Sequence, residues 1–185
     1  MDKLEAAKEL QKMIDLLPER LDITERRRKE ALEIAIKELK NMLKGIDVSE
    51  HNGVVNWTTV KNAGMDFAII RLGFGNKHLD GSFYDNFNGA KMAGLKVGVY
   101  YYSYAMTPEE AKAEAQYLLY ILKDCGVEPD DLEMGVWFDM EDADGYKREN
   151  GMPDNQTITD MCSAFIVECN KAGYSCGIYA NLDWL

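Results

Sequence analysis

The sequence predicts an α/β protein on parallel strands, either a doubly wound sheet or a (β/α) barrel, preceded by an α-helical hairpin. Three observations carry this. Beyond residue 43, five strand-like and four helix-like stretches alternate in the order βαβαβαβαβ, which implies parallel strands joined by right-handed crossovers. Composition changes abruptly near Lys44. Residues 1–43 hold ten acidic and ten basic residues and no Gly or aromatic; residues 44–185 hold 22 acidic and 11 basic residues, all 15 Gly and all 19 aromatics. Finally, the apolar residues of the first segment recur at helical spacing only. Two domains are expected, 1–43 and 44–185.

In the first segment, Leu4, Leu10, Ile14 and Leu17 mark one helix, with Ala6 and Met13 alongside. Pro18 and the polar stretch to Thr24 interrupt it. Asp22 to Glu25 supply capping side chains for a second helix. Ala31, Ile34, Ala35, Leu39, Met42 and Leu43 form its apolar stripe. The basic run Arg26 to Lys29 is balanced by Glu25, Glu30 and Glu33, as on a solvated face. Without aromatics or Gly, the hairpin has no catalytic equipment.

In the second segment, 45–48 is a short strand. A helix over 57–63 stops at Gly64, and 66–72 (DFAIIRL) is a buried strand. A helix over 82–93 stops at Gly94. The stretch 96–104 (KVGVYYYSY) is a strand rich in β-branched and aromatic residues. Thr107 at the N-cap, Pro108 behind it and Glu109-Glu110 in the first turn open a helix to about residue 123. A strand over 133–142, a helix over 155–171 ended by Gly173, and a strand over 174–181 complete the order.

Composition excludes several functions. With 46% hydrophobic residues the chain is too apolar for disorder. No apolar run approaches the roughly 20 residues of a membrane span. A net charge of −11 argues against a nucleic-acid partner. Acids interrupt the N-terminus from Asp2 and Glu5 onward, so no Sec signal is expected. GIDVSEHNG after the first strand lacks a phosphate-binding glycine pattern, which weakens a nucleotide site. Cys125, Cys162, Cys169 and Cys176 include no C-x-x-C pair and read as buried free thiols.

In a barrel the chemistry gathers at the C-terminal ends of strands. Asp47 ends the first strand, Arg71 the second, Tyr102 and Tyr104 the third, Asp139 and Glu141 the fourth, and Asn181 the fifth. On a strand, residues two apart share a face, so Asp139 and Glu141, about 7 Å apart, lie on the side of Trp137 while Phe138 and Met140 face away. Such carboxylates repel each other's ionisation, leaving a protonated acid beside an anion, the pair glycosidic cleavage uses. The same residues also suit ordinary hydrogen-bonded carboxylates at a loop edge. DMEDAD offers oxygens to Ca²⁺ or Mg²⁺ as well, without the spacing of an EF-hand loop.

GIDVSEHNGVVNW, DFAIIRLGFG, AGLKVGVYYYSYA, GVWFDMED and AGYSCGIYAN, in order across 44–185, together resemble the glycoside hydrolase family 25 lysozymes, the Chalaropsis-type muramidases. The resemblance implies a TIM-like (β/α) barrel, present here as five parallel strands, and hydrolysis of the β-1,4 bond between N-acetylmuramic acid and N-acetylglucosamine in peptidoglycan. It implies no cofactor and no metal. By the match, Glu141 is the general acid/base, Asp139 its partner in the D-x-E motif, and Asp47 the acid at the base of the cleft; in a completed barrel Asp139, deeper by one strand pair, is expected to accept hydrogen bonds that hold it ionised. Arg71, Tyr102, Tyr104, Trp137 and Asn181 line the groove. The implied route is retaining, through attack by the substrate's acetamido group supported by Asp139, with direct carboxylate attack as the rival route.

The family continues through further strands and another active-site Asp, so the resemblance also implies a domain incomplete after Leu185, with little activity expected of these 185 residues. The rival reading is a non-catalytic wall-binding or virion-associated remnant; a hydrolase of chitin-like chains is a third. The expected place of action is outside the cell or in its wall, reached by holin-type lysis or another route.

Overall fold

The computed structural model describes residues 3–18 and 22–184. The chain divides into two compact units, residues 1–43 and 44–185.

In the first unit, α1 (Lys3–Asp15) packs against α2 (Ile23–Asn41). Asp22 caps α2. Its carboxylate accepts the Thr24 and Glu25 amides at 2.8 and 2.9 Å, and Glu25 reaches back to the Asp22 amide at 3.0 Å. The buried seam uses Ala7 and Ile36, flanked by half-buried Leu10, Ile14, Leu32, Ala35 and Leu39. Met13, Ala31, Ile34, Met42 and Leu43 are exposed, so the stripe lies rotated from the one expected. The 19-residue α2 has more apolar residues than the 13-residue α1 can cover. Leu4 lies outside the residues whose side chains are described.

The second unit is a parallel α/β sheet. Its strands are β1 (Gly45–Val48), β2 (Phe67–Phe74), β3 (His78–Leu79), β4 (Lys96–Tyr102), β5 (Val136–Asp139) and β6 (Cys176–Tyr179). Hydrogen bonding runs β1-β2-β4-β5-β6, all parallel, and β3 pairs antiparallel with β2. The five parallel strands expected are present; the β2–β3 hairpin is new. The helices are α3 (Trp57–Asn62), α4 (Phe83–Met92), α5 (Pro108–Asp124), the four-residue α6 (Tyr146–Glu149) and α7 (Asn155–Lys171).

Alternation sorts the two sheet faces. Val48, Ile70, Val99, Val136 and Phe138 point into one buried core with residues of α4, α5 and α7. Phe138 stacks on Phe165 of α7 with ring centroids 4.0 Å apart. α5 begins as expected, with the Thr107 hydroxyl accepting the Glu110 amide at 3.3 Å and Pro108 behind it. Gly94 and Gly173 follow α4 and α7 at φ +71° and +89°, the left-handed conformation that ends a helix.

Three strand limits differ from expectation. β2 continues to Phe74, so Arg71 lies within it, and its register with β4 shifts between Arg71 and Gly73. β5 spans only Val136–Asp139, because the chain turns at Gly135 (φ +71°) and leaves the sheet after Asp139. β6 is likewise shorter, Cys176–Tyr179. The cysteines are free, but Cys125 is exposed.

Candidate active site

The face of the sheet opposite the helices lines an open cavity of about 900 Å³. Its wall rises in registered rows. Asp47 pairs with Ile69, Arg71 with Tyr100 and Tyr100 with Trp137. Phe74 then pairs with Tyr102, Tyr102 with Asp139 and Asp139 with Tyr179. Side chains from each row face the cavity, as does Glu141 just beyond β5. Asp47, Arg71, Tyr102, Tyr104, Trp137, Asp139 and Glu141 are thus brought to one cavity. Asn181 is not among its lining residues; its Oδ1 is buried without a hydrogen-bond partner among the described residues.

Asp139 is 6% exposed, and one of its oxygens has no hydrogen-bond partner among the described residues. Burial, then the neighbouring Glu141 carboxylate, push its pKa up to about 7, against the pull of Lys147 and Arg71. In this chain burial opposes the ionisation expected of Asp139, and one oxygen lacks, among the described residues, a hydrogen bond of the kind expected to hold the charge. The backbone amides around it are spent elsewhere: the Met140 amide donates to the Tyr179 carbonyl at 2.9 Å and the Ser103 amide to the Asp139 carbonyl at 3.0 Å. Spacing signals that one carboxyl of this pair has a raised pKa without saying which; here the raised one is Asp139.

Arg71 faces the cavity with its charge already committed. Its Nε lies 2.6 Å from the Asp80 carboxylate and its Nη2 2.9 Å from Glu50. Asp80 also accepts the Glu50 and Ser82 amides at 3.1 and 2.9 Å, and Glu50 accepts the Gly81 amide at 3.0 Å. The guanidinium braces the turns after β1 and β3 onto β2, and its charge is compensated by good hydrogen-bond geometry.

The aromatic side chains form the remaining wall. The Trp137 indole donates to the Met134 carbonyl at 2.7 Å, and its ring lies so close to Gly177 that an added Cβ would come within 2.8 Å of it. Tyr102 and Tyr104 meet edge to face at 5.3 Å, and Tyr104 donates to Asp144. Burial and the Asp144 carboxylate raise the Tyr104 phenol to about 12, and burial raises Tyr100 to about 12 as well. Both are neutral donors at physiological pH.

Sequence reasoning misses Glu50, Phe74, Tyr100, Asp144 and Tyr179, which also line the cavity. Tyr100 was accessible, being two residues before Tyr102 on one strand. Phe74 was not, because the register shift breaks the alternation. Among the described residues no cluster of three or more His, Cys, Asp or Glu is arranged to hold a metal ion.

Residues 46–185 match the family described as Glycosyl hydrolases family 25. The chain is 41% identical over 61 residues to Lysozyme M1 of Streptomyces globisporus, covering 33% of this chain and 21% of that protein. It is 38% identical over 66 residues to the autolytic lysozyme of Clostridium acetobutylicum, covering 36% and 20%. The modular autolysin LytC from Streptococcus pneumoniae superposes with a TM-score of 0.65 at 26% identity, over 75% of this chain and 32% of that one. The bacterial lysozyme from Streptomyces coelicolor does so with a TM-score of 0.62 at 26% identity, over 77% and 64%. The chain thus matches about a fifth of the length of these curated relatives. With the family match running from the first strand to the last residue, the chain belongs to glycosyl hydrolase family 25.

Proposed function

We propose that the chain is a muramidase unit that hydrolyses the β-1,4 bond between N-acetylmuramic acid and N-acetylglucosamine in peptidoglycan. The observation that carries this is Asp139 beside Glu141 on the wall of an aromatic-lined cavity, with Asp47 on the same wall. Family membership supports it, as does LytC having been solved with a synthetic peptidoglycan ligand. Residues 44–185 are the catalytic unit and residues 1–43 an appended hairpin. The place of action is the cell wall.

In the free site burial, then the Glu141 carboxylate, raise the Asp139 carboxyl to about 7 and oppose its ionisation. An acetamido N–H of the bound sugar, donating to Asp139, favours its charged form. Glu141 acts as the general acid and delivers a proton to the leaving glycosidic oxygen. The Asp139 anion supports attack by the acetamido oxygen on the oxocarbenium-like carbon, and water completes hydrolysis with retention. Tyr102, Tyr104 and Trp137 offer apolar surfaces to the sugar rings.

The test is release of muropeptides from purified cell walls, with Glu141→Gln and Asp139→Asn as controls. Each substitution is expected to lower kcat/KM at least 100-fold. Wall binding without any product marks a non-catalytic binder instead, and release of chitin fragments but not muropeptides marks a different sugar specificity. Near-normal wall hydrolysis by Glu141→Gln removes Glu141 from the acid role.

A further inference from the structure

We propose that Lys147 is a positioning residue for the Asp139–Glu141 pair, its buried ammonium clasping the loops after β4 and β5 and fixing the Glu141 backbone. This rests on the muramidase reading of the same cavity. Lys147 is 1% exposed, although it lies on a four-residue helix within a loop. Its Nζ donates to the Ser103 carbonyl and, at 3.0 Å, to the carbonyl of Glu141 itself. Ser103 follows β4 and Glu141 follows β5, so one side chain ties together the two segments that carry Tyr104 and Glu141.

The surrounding hydrogen bonds make this clasp specific. Asp142, next to Glu141 and buried, accepts the backbone amides of Lys147 and Arg148 at 2.6 and 3.2 Å, folding residues 142–148 back on themselves. On the other side Glu114 of α5 accepts the Ser103 hydroxyl at 2.8 Å and the Tyr104 amide at 2.9 Å. A lysine is suited to the junction because it brings a positive charge as well as donors into a site crowded with acids. Glu114, Asp142, Asp144 and Asp139 all act on it, and the Trp184 ring lies 5.8 Å away. Asp139 in turn is acted on by Glu141 and Asp47, which oppose its ionisation, and by Lys147 and Arg71, which favour it. Lys147 therefore holds the Glu141 backbone and eases formation of the Asp139 anion that the mechanism needs.

The experiment compares Lys147→Arg, which keeps the charge, Lys147→Gln, which keeps a donor without charge, and Lys147→Met, which keeps neither. Two quantities are read: the Asp139 side-chain carboxyl titration by ¹³C NMR, and kcat and KM on soluble wall fragments across pH. In Gln and Met the Asp139 midpoint is expected to rise by about one pH unit, and in Arg to stay within a few tenths. kcat is expected to fall about tenfold in Met with KM changed less than about threefold. If Met does not fold, Gln against Arg still isolates the charge. An unchanged Asp139 midpoint and pH profile in Gln overturns the proposal. Wild-type protein that hydrolyses no wall overturns the muramidase reading, and the NMR titration then decides the placement of Lys147 independently.

Discussion

Asp139 is where function and stability oppose each other. A carboxyl whose folded pKa is raised from 3.8 to about 7 favours folding only while protonated. That stability is fully present below the unfolded value and is lost as pH rises through 7. At pH 8 the shift corresponds to a cost of about 2–4 kcal/mol. Asp139→Asn is therefore expected to raise Tm at pH 8 by about 5 °C or more, with the gain shrinking toward pH 4. The same substitution removes the anion the mechanism uses, a trade of activity for stability. Equal melting temperatures for wild type and variant at pH 8 would show that the burial of Asp139 imposes no such cost. Asp139 and Glu141 were legible as a pair because strand alternation is a local rule. Which of them holds the proton was not, because that depends on Lys147, Arg71 and Asp47 arriving from other elements.

Helix α5 shows how far local signals extend. Thr107, Pro108 and Glu110 form its N-terminus as local chemistry dictates, and its inner face places Ala111, Ala115, Leu118 and Leu122 in the core. Glu114 lies on that same buried face, where it supports the Ser103 and Tyr104 segment rather than facing water. Thr107→Ala is expected to cost about 1 kcal/mol, measured by urea unfolding. A loss below about 0.3 kcal/mol would mean that packing of α5 on α7 holds the helix end without the cap. Strand limits were read less accurately than helix limits. Residues 133–142 have strand composition throughout, yet only Val136–Asp139 pair, because the chain leaves the sheet to bring Lys147 under Glu141.

Across the molecule, the acidic groups with shifted ionisation include two sets with opposite pH behaviour. Asp139 and Glu114 are each raised to about 7, mainly by burial, and oppose folding as pH rises from their unfolded values through 7. Asp131 and Glu168 are lowered chiefly by hydrogen bonds to Lys91 and Lys171, and Asp154 by the Thr157 amide at the start of α7. Those contributions are present above the ordinary carboxylate range and are lost as pH falls below it. Tm is therefore expected to peak near pH 5 and to fall toward both pH 3 and pH 8. Differential scanning calorimetry across that range checks it; a Tm still rising from pH 5 to pH 8 would contradict the burial of Asp139 and Glu114.

The sequence by itself determined the order of the five parallel strands and the four longer helices between them, the compositional break at Lys44, and the face that Trp137, Asp139 and Glu141 share. These follow from local rules of period, capping and alternation, which act over a few residues. Only the tertiary structure decided the β2 register shift that brings Phe74 to the cavity, the commitment of Arg71 to Glu50 and Asp80, the burial that raises the Asp139 carboxyl, and the clasp of Lys147. Each depends on groups far apart in the chain meeting in a poorly solvated space. There the energy of a charge is set by its neighbours and by the loss of water, which residue spacing does not encode.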